Sequence, residues 1–177
     1  MATLKTNLRV LKRTRRRPES GDIFVFQLDP IPSNFYFGRV IATDTTIGNF
    51  ENVVLIYIYR AFSTDKASIP ALRTSDLLVP PIGTNNLPWS RGYFEVVASG
   101  TNKPADLLLQ HCFLDPSRGF VDEYGNPVSA AIEPVGFYGL SGLGSIDNHI
   151  SKALGIPSIA SNPTVEETPR DEAAHRP

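Results

Sequence analysis

Three histidines and a single cysteine are the side chains of this sequence best suited to act as nucleophile, base or metal ligand. Cys112 directly follows His111, but adjacent side chains point to opposite faces of a strand and do not meet on a helix either, so the two do not form a nucleophile–base pair. His111 and Asp115 would share a strand face, yet four residues place them roughly 13 Å apart, too far to hold one metal ion. A spatial pairing of Cys112 with His149 stays open beside the ordinary role of a cysteine as a small buried hydrophobe. We predict no catalytic residue, no metal site and no cofactor.

A glycine-rich turn at residues 139–144 (GLSGLG) runs directly into a predicted helix. Free N–H groups and the helix dipole make such a position favourable for an anion. The glycine spacing matches neither phosphate-binding pattern, however, and no lysine follows immediately. Whether this turn binds an anion stays open, and the alternative is a flexible turn that lets the helix dock on a sheet.

Two segments carry residue types that are common in protein interfaces. Trp89 and Arg91 lie in a loop-like stretch, and both residue types are favoured interface anchors, although a lone tryptophan in a β-rich domain is also a natural core residue. Asp122, Glu123 and Tyr124 lie at a predicted hairpin, where they would form another contact patch. We take these five as candidate partner-binding residues.

The composition predicts one soluble domain in the cytoplasm. The chain has 177 residues, 41% of them hydrophobic and 20% charged, with 15 prolines and 13 glycines that favour a turn-rich fold over long helices. One cysteine cannot form an intramolecular disulfide, so nothing points to an oxidising compartment. The N-terminal segment lacks the apolar stretch of a secretory signal, and no apolar run approaches the ~18 residues of a membrane span.

The charge is distributed unevenly along the chain. Seven of the 17 basic residues fall within residues 1–17, which hold no acid, so the remaining chain has ten basic against 18 acidic residues, a net of −8. Such a body is a poor surface for a phosphate backbone and a good one for attracting a basic protein, although the charge also serves solubility. The basic arm is either solvated or lies across the acidic body; binding to nucleic acid is the further alternative.

Short strand-like runs separated by turns dominate the middle of the chain. Strands are predicted at residues 23–28, 35–43, 53–59, 92–98 and 108–114 (the last also readable as the end of a short helix), with a hairpin of residues 120–124 and 128–132. The third run is apolar almost throughout, which predicts burial on both faces. A helix is predicted from Ser145, with Asp147 in its first turn and Gly155 ending it, and a second short helix at residues 64–67.

These elements predict a mainly-β (α+β) fold: a curved antiparallel sheet or partial SH3-like barrel with one C-terminal helix. We expect a basic arm at residues 1–18, a single β-rich domain at 19–160 and a disordered tail at 161–177.

Several short motifs, taken in order, resemble the immunity protein 26 family of bacterial polymorphic toxin systems. The resemblance covers residues 15–154 and rests on Arg15-Arg16-Arg17-Pro18, Gly21-Asp22-Ile23-Phe24, Leu28-Asp29, Phe37-Gly38-Arg39-Val40, Ile56-Tyr57 and, more loosely, Gly92-Tyr93-Phe94. It implies a protein that binds and neutralises a cognate toxin, usually encoded beside it, by steric and electrostatic blocking. It supplies no catalytic residues and does not identify the toxin.

Two other functions remain open. The first strand and its Leu28-Asp29-Pro30 end are also similar to the SH3-like barrel of plasmid-maintenance endoribonucleases, which would make the protein an enzyme. No basic residue lies between Pro30 and Arg39, however, and an acidic body suits RNA poorly. The other alternative is a nucleic-acid-binding adaptor that works through the basic arm, which lacks aromatic residues for base stacking.

Overall fold

The structure, a computed structural model, describes residues 5–159. Its nine strands are β1 Ile23–Leu28, β2 Ile31–Thr45, β3 Val53–Ser63, β4 Leu77–Thr84, β5 Glu95–Ala98, β6 Cys112–Asp115, β7 Gly119–Val121, β8 Val135–Phe137 and β9 Leu140–Ser141. The helices are α1 Leu87–Ser90 and α2 Leu143–Ala153, and short 3₁₀ turns occur at Ile47–Asn49, Thr74–Asp76 and Pro104–Asp106.

The strands form two sheets. The larger has six strands in the order β5-β1-β2-β3-β4-β9, and the smaller has three in the order β7-β6-β8. All pairs are antiparallel except β4 with β9 and β6 with β8. Because the six-stranded sheet ends at β5 on one side and β9 on the other, it does not close into a barrel. The predicted mainly-β (α+β) class with a C-terminal helix is confirmed.

Strand β3 lies at the centre of the molecule and contributes to two cores. Residues 53–59 are all buried, as the continuous apolar run predicts. Val54, Ile56 and Ile58 pack toward α2 and Trp89, whereas Leu55 and Tyr57 pack toward the three-stranded sheet. The fold is therefore a helix, a large sheet and a small sheet in three layers.

Some predicted boundaries are wrong. Strand β2 begins at Ile31, so only Asp29 and Pro30 separate it from β1. Strand β4 was not predicted, because Pro80 and Pro81 interrupt its pattern. Strand β7 pairs with β6, and residues 128–132 form no strand. Of the predicted hairpin only the part next to the turn forms: Val121 and Pro127 make an isolated antiparallel bridge, and the Val128 N–H donates to the Phe120 carbonyl at 2.9 Å.

The helical predictions also need correction. Helix α2 begins at Leu143 after an N-cap at Gly142, which places Asp147 in the second turn, and residues 64–67 form a turn instead of a helix.

Residues 5–18 lie across the domain. Leu8 is buried and pairs with Leu28 at the end of β1. The buried carboxylate of Asp147 on α2 accepts hydrogen bonds of 2.9 Å from both the Thr6 hydroxyl and the Asn7 backbone N–H. The segment thus ties helix α2 to the edge of the sheet. The predicted disordered tail, 161–177, lies outside the described residues.

Candidate protein-binding face

The structure separates the candidate residues into two groups. Trp89 is 1% exposed and contacts the rings of Phe24 and Phe94, both at centroid distances of 5.3 Å, so it belongs to the core beneath the N-terminal segment. Arg91 follows it at the exposed end of α1. Asp122, Glu123 and Tyr124 lie in the loop after β7. Within residues 5–159, no hydrogen bond, ion pair or aromatic contact joins the two groups.

Asp122 fixes the shape of the loop that follows β7. Its carboxylate accepts hydrogen bonds from the backbone N–H groups of Tyr124 and Asn126, both at 2.9 Å, and from the Asn126 side chain at 3.0 Å. Partial burial raises the pKa of Asp122, but the hydrogen bonds from Asn126 and Tyr124 outweigh that effect, so its pKa lies below the usual value. The carboxylate therefore stays ionised while it orders the loop.

Glu123 anchors the same loop to the core through a chain of side chains. Its carboxylate lies 2.9 Å from Nδ1 of His111, and Nε2 of His111 lies 2.6 Å from the hydroxyl of Tyr57 on β3. The Tyr57 hydroxyl accepts a hydrogen bond from the Leu108 N–H, so its own proton is free to bond Nε2 of His111. With Nε2 as the acceptor, the proton of His111 is on Nδ1, where it bonds the Glu123 carboxylate. Burial raises the pKa of Tyr57 to about 12, so it remains a donor at neutral pH.

Tyr124 projects from the loop among carboxylates. It is 47% exposed, and its hydroxyl lies 3.5 Å from a carboxylate oxygen of Asp44. Partial burial, together with the negative charges of Asp44 and Glu123, raises the pKa of Tyr124. The surroundings of this exposed phenol are therefore electronegative.

A second loop lies against the first. The backbone N–H of Thr46 donates to the Glu123 carbonyl at 3.0 Å, and the Tyr138 hydroxyl donates to the Thr46 carbonyl at 2.8 Å. The loop continues into Phe50, which is 55% exposed, and the exposed Glu51. We call these two loops the acidic face, defined by Asp44, Phe50, Glu51, Asp122, Glu123 and Tyr124.

Arg118 connects the two loops of the acidic face. Its Nε lies 2.7 Å from Asp115, and its guanidinium lies 5.2 Å from the centroid of the Tyr138 ring. Its Nη1 lies 3.4 Å from the Gly125 carbonyl oxygen and its Nη2 lies 3.5 Å from Oδ1 of Asn49, so this cation, paired with Asp115, reaches both loops. Hydrogen bonds from Ser117 and Arg118 lower the pKa of Asp115 to about 2.

The negative charge of this protein is concentrated in regions such as the acidic face and is not spread over the whole domain. Residues 5–159 contain 15 basic and 14 acidic residues, because four of the acids lie beyond Ile159 and the arm folds back onto the body. Two arm cations pair with body carboxylates, Arg9 with Asp29 at 3.2 Å and Arg16 with Asp22 at 2.8 Å. Attraction of a basic partner therefore depends on where the carboxylates lie and not on the net charge.

Arg39 is the first basic residue after Pro30, so an endoribonuclease interpretation depends on it, and it lies on β2. Its side chain is 11% exposed and its guanidinium is 3.5 Å from Asp106. Cys112 is fully buried. Among the described residues, no three His, Cys, Asp or Glu side chains are placed to hold a metal ion, and no helix is long and apolar enough to cross a membrane.

The turn at residues 139–144 joins the large sheet to α2. Strand β9 pairs with β4, and the Thr84 hydroxyl donates to the Ser141 carbonyl at 2.8 Å. This arrangement brings the helix against the sheet.

A family model described as immunity protein 26 matches residues 19–114. The chain belongs to this family. No curated protein and no solved structure matches the chain. The match to the immunity protein 26 family runs from the residues before β1 into β6, so it includes Asp44 and Phe50 but ends before the loop of residues 122–126.

The family motifs are mainly structural in this chain. The buried Asp22 carboxylate receives Arg16, the Glu19 backbone N–H and the Ser99 hydroxyl. Gly38 makes room for the ring of Phe24. Sequence reasoning missed Asp44, His111 and Tyr57 as parts of the site, because their partners lie 80, 12 and 54 positions away along the chain.

Proposed function

We propose that this protein is an immunity protein that binds a cognate toxin through the acidic face and neutralises it by covering the toxin's functional surface. The observation that carries the proposal is a rigid face with exposed carboxylates and two exposed aromatic rings, on a chain of the immunity protein 26 family. Inhibition of this kind requires complementary shape and charge and no covalent step.

The rigidity of the face supports binding. Glu123 is held by His111 and Tyr57, and Asp122 holds the turn around it. A loop that is already ordered loses little conformational entropy when it is covered, so more of the contact energy remains as affinity. Phe50 and Tyr124 offer apolar area between the carboxylates, and aromatic residues are enriched at interface centres.

The charge of the face predicts the partner's charge. Asp44 and Glu51 are exposed, and Glu123 is partly so. A toxin with a basic surface, such as a nuclease that acts in the cytoplasm, would be attracted to this region, and the association would be faster at low salt. The protein would act in the same compartment as its toxin.

The direct test uses the product of the neighbouring gene, which the proposal takes to be the toxin. Cells that express it should grow only when this protein is co-expressed, and the two purified proteins should form a stoichiometric complex. The absence of both protection and binding would refute the proposal. Cleavage of RNA by the pure protein, abolished by Arg39→Ala, would favour the enzyme instead.

Charge-neutralising variants locate the face. Asp44→Asn combined with Glu51→Gln should slow association with the toxin several-fold at low salt, and the difference should shrink as salt rises. The control is Asp29→Asn, an exposed acid at the opposite end of β2 from Asp44. An association rate that responds equally to both changes would place the contact elsewhere.

A further inference from the structure

An apolar groove lies between the two sheets and α2. It has a volume of about 300 Å³ and is lined by Pro80 and Pro81 of β4, Leu114 of β6, Phe137 of β8 and His149 of α2. A cavity of about 150 Å³ already accommodates benzene, so this groove has room for a large side chain.

The backbone creates the groove. Gly136 of β8 lies so close to β4 that a Cβ atom there would be 2.6 Å from the Pro81 carbonyl oxygen and 2.7 Å from the Phe113 ring. Pro80 and Pro81 have no N–H groups, so this part of β4 cannot donate hydrogen bonds to an added strand. The groove is therefore better suited to bind side chains of a partner than to pair with a strand of a partner.

Large apolar side chains around the groove face solvent. Phe137 is 57% exposed, Leu114 is 44% exposed and Leu140, in the next strand, is 37% exposed. Clustered exposed apolar residues mark interaction sites, whereas isolated ones need no explanation. An occupant of this groove would therefore be apolar.

The groove adjoins the acidic face. Gly48, in the 3₁₀ turn between Asp44 and Phe50, lies so close to β9 that a Cβ atom there would be 3.1 Å from Gly139 Cα and from the Leu140 nitrogen. At the other side the exposed Glu133 accepts the Val135 backbone N–H at 3.1 Å, at the start of β8. The apolar centre thus has carboxylates on both sides, which is the arrangement of a protein interface with an apolar core and a polar rim.

We infer that the groove receives an apolar side chain presented by a basic segment of the toxin, with Phe137 and Leu114 enclosing it. The inference rests on the proposed function and makes it more specific: the carboxylates attract the toxin, and the groove retains it. Charged rims mainly change association rates, whereas buried anchors mainly change dissociation rates.

The test compares two exposed phenylalanines. Phe137→Ala should weaken binding of the neighbouring-gene toxin domain about tenfold or more, chiefly through faster dissociation and to a similar extent at low and high salt. Phe62→Ala is the matched control, since Phe62 is 52% exposed at the far end of β3 and should change affinity less than about twofold. Surface plasmon resonance gives both rate constants, and thermal unfolding confirms that each variant is folded.

The outcomes separate this inference from the function on which it rests. If the wild-type protein does not bind the toxin, the proposed function fails. If it binds and Phe137→Ala binds with the same dissociation rate, the groove inference alone fails. Sedimentation of the protein without toxin tests the other occupant: a dimer that Phe137→Ala abolishes would assign the groove to a second copy and overturn the inference.

A fluorescence measurement gives an independent readout. Phe137→Trp places an indole at the groove, while the native Trp89 stays buried at 1% exposure. Emission should shift to shorter wavelength when the toxin domain is added, because the new indole leaves water. An unchanged emission spectrum at saturating toxin would contradict occupation of the groove.

Discussion

Arg16 binds the buried carboxylate of Asp22 through two hydrogen bonds, of 2.8 and 3.1 Å, one to each oxygen. The same carboxylate also accepts hydrogen bonds from the Glu19 backbone N–H and the Ser99 hydroxyl. Burial raises the pKa of Asp22, but the hydrogen bonds, led by that from Arg16, outweigh it and leave the pKa below its usual value. The Gly-Asp motif therefore joins the N-terminal segment to the sheet, and a role in partner contact is not needed to explain it.

Asp22→Ala should destabilise the protein by about 2–4 kcal/mol, because it leaves several donors at the start of β1 without an acceptor. Urea unfolding, followed by circular dichroism, measures the loss. Asp29→Asn is the control: its carboxylate is 66% exposed in a salt bridge with Arg9, so its effect should stay below about 1 kcal/mol. Equal losses from both changes would show that the buried network has no special role.

Gly38→Ala should also destabilise the fold. A Cβ atom at Gly38 would lie 2.2 Å from the Phe24 ring, which is fully buried between β2 and Trp89. Overpacking of this kind costs about 1–3 kcal/mol. Gly100→Ala is the matched control, because no atom lies within 4 Å of its added Cβ. Thermal unfolding of the two variants checks the difference, and equal melting temperatures would refute the steric explanation.

The local pattern of apolar residues was sufficient to predict the central strands of the fold. Residues 23–28 are observed as β1 with the predicted bounds, and the continuous apolar run in β3 is buried on both faces. Both depend on side-chain character within a few residues, which the sequence displays directly. The same dependence on neighbouring residues explains why strand β4 was missed: within its own segment, Pro80 and Pro81 indicate that no strand forms.

The candidate site could be predicted only in part. Glu123 and Tyr124 have the charge and aromatic character of contact residues, and both lie on the acidic face. Their relation to Tyr57 and Asp44 arises because strands distant in sequence meet in space, which no spacing along the chain encodes. Trp89 shows the opposite problem: its residue type suits an interface as well as a core, and only the fold places it among Phe24 and Phe94.

Stability at acid pH should depend on Asp115. Its pKa is lowered to about 2 by hydrogen bonds from Ser117 and by Arg118, so its contribution is present in full above about pH 4 and is lost as pH falls through about 2. Asp115→Asn should therefore be less stable than wild type at pH 5–7 by a constant amount, and the two should converge between about pH 4 and 2. Urea unfolding at each pH measures the convergence.

Ser117→Ala tests the cause of that effect. It removes the side-chain donor at 2.7 Å while keeping the carboxylate, so the pKa of Asp115 should rise toward its usual value. Carbon-detected NMR titration of the carboxyl group would report the change. A pKa that stays at about 2 in this variant would assign the shift to the backbone N–H at position 117 and to Arg118 instead.

Tyr57→Phe should destabilise the protein by about 1–3 kcal/mol, because it removes a buried hydroxyl that serves both His111 and Leu108. The imidazole Nε2 would lose its donor and the Leu108 N–H its acceptor, and neither atom has another hydrogen-bond partner among the described residues. Tyr124→Phe is the matched control: it removes a hydroxyl 3.5 Å from Asp44 at a 47% exposed side chain, and should change stability by less than about 0.5 kcal/mol. Urea unfolding measures the stability change of both variants, provided that the free energy of unfolding depends on urea concentration with the same slope as in the wild type. If Tyr57→Phe is as mild as the control, the contacts from Glu123 through His111 to Tyr57 do not hold the acidic face to the core. The order of that loop would then come from Asp122 and from the hydrogen bond between Thr46 and the Glu123 carbonyl.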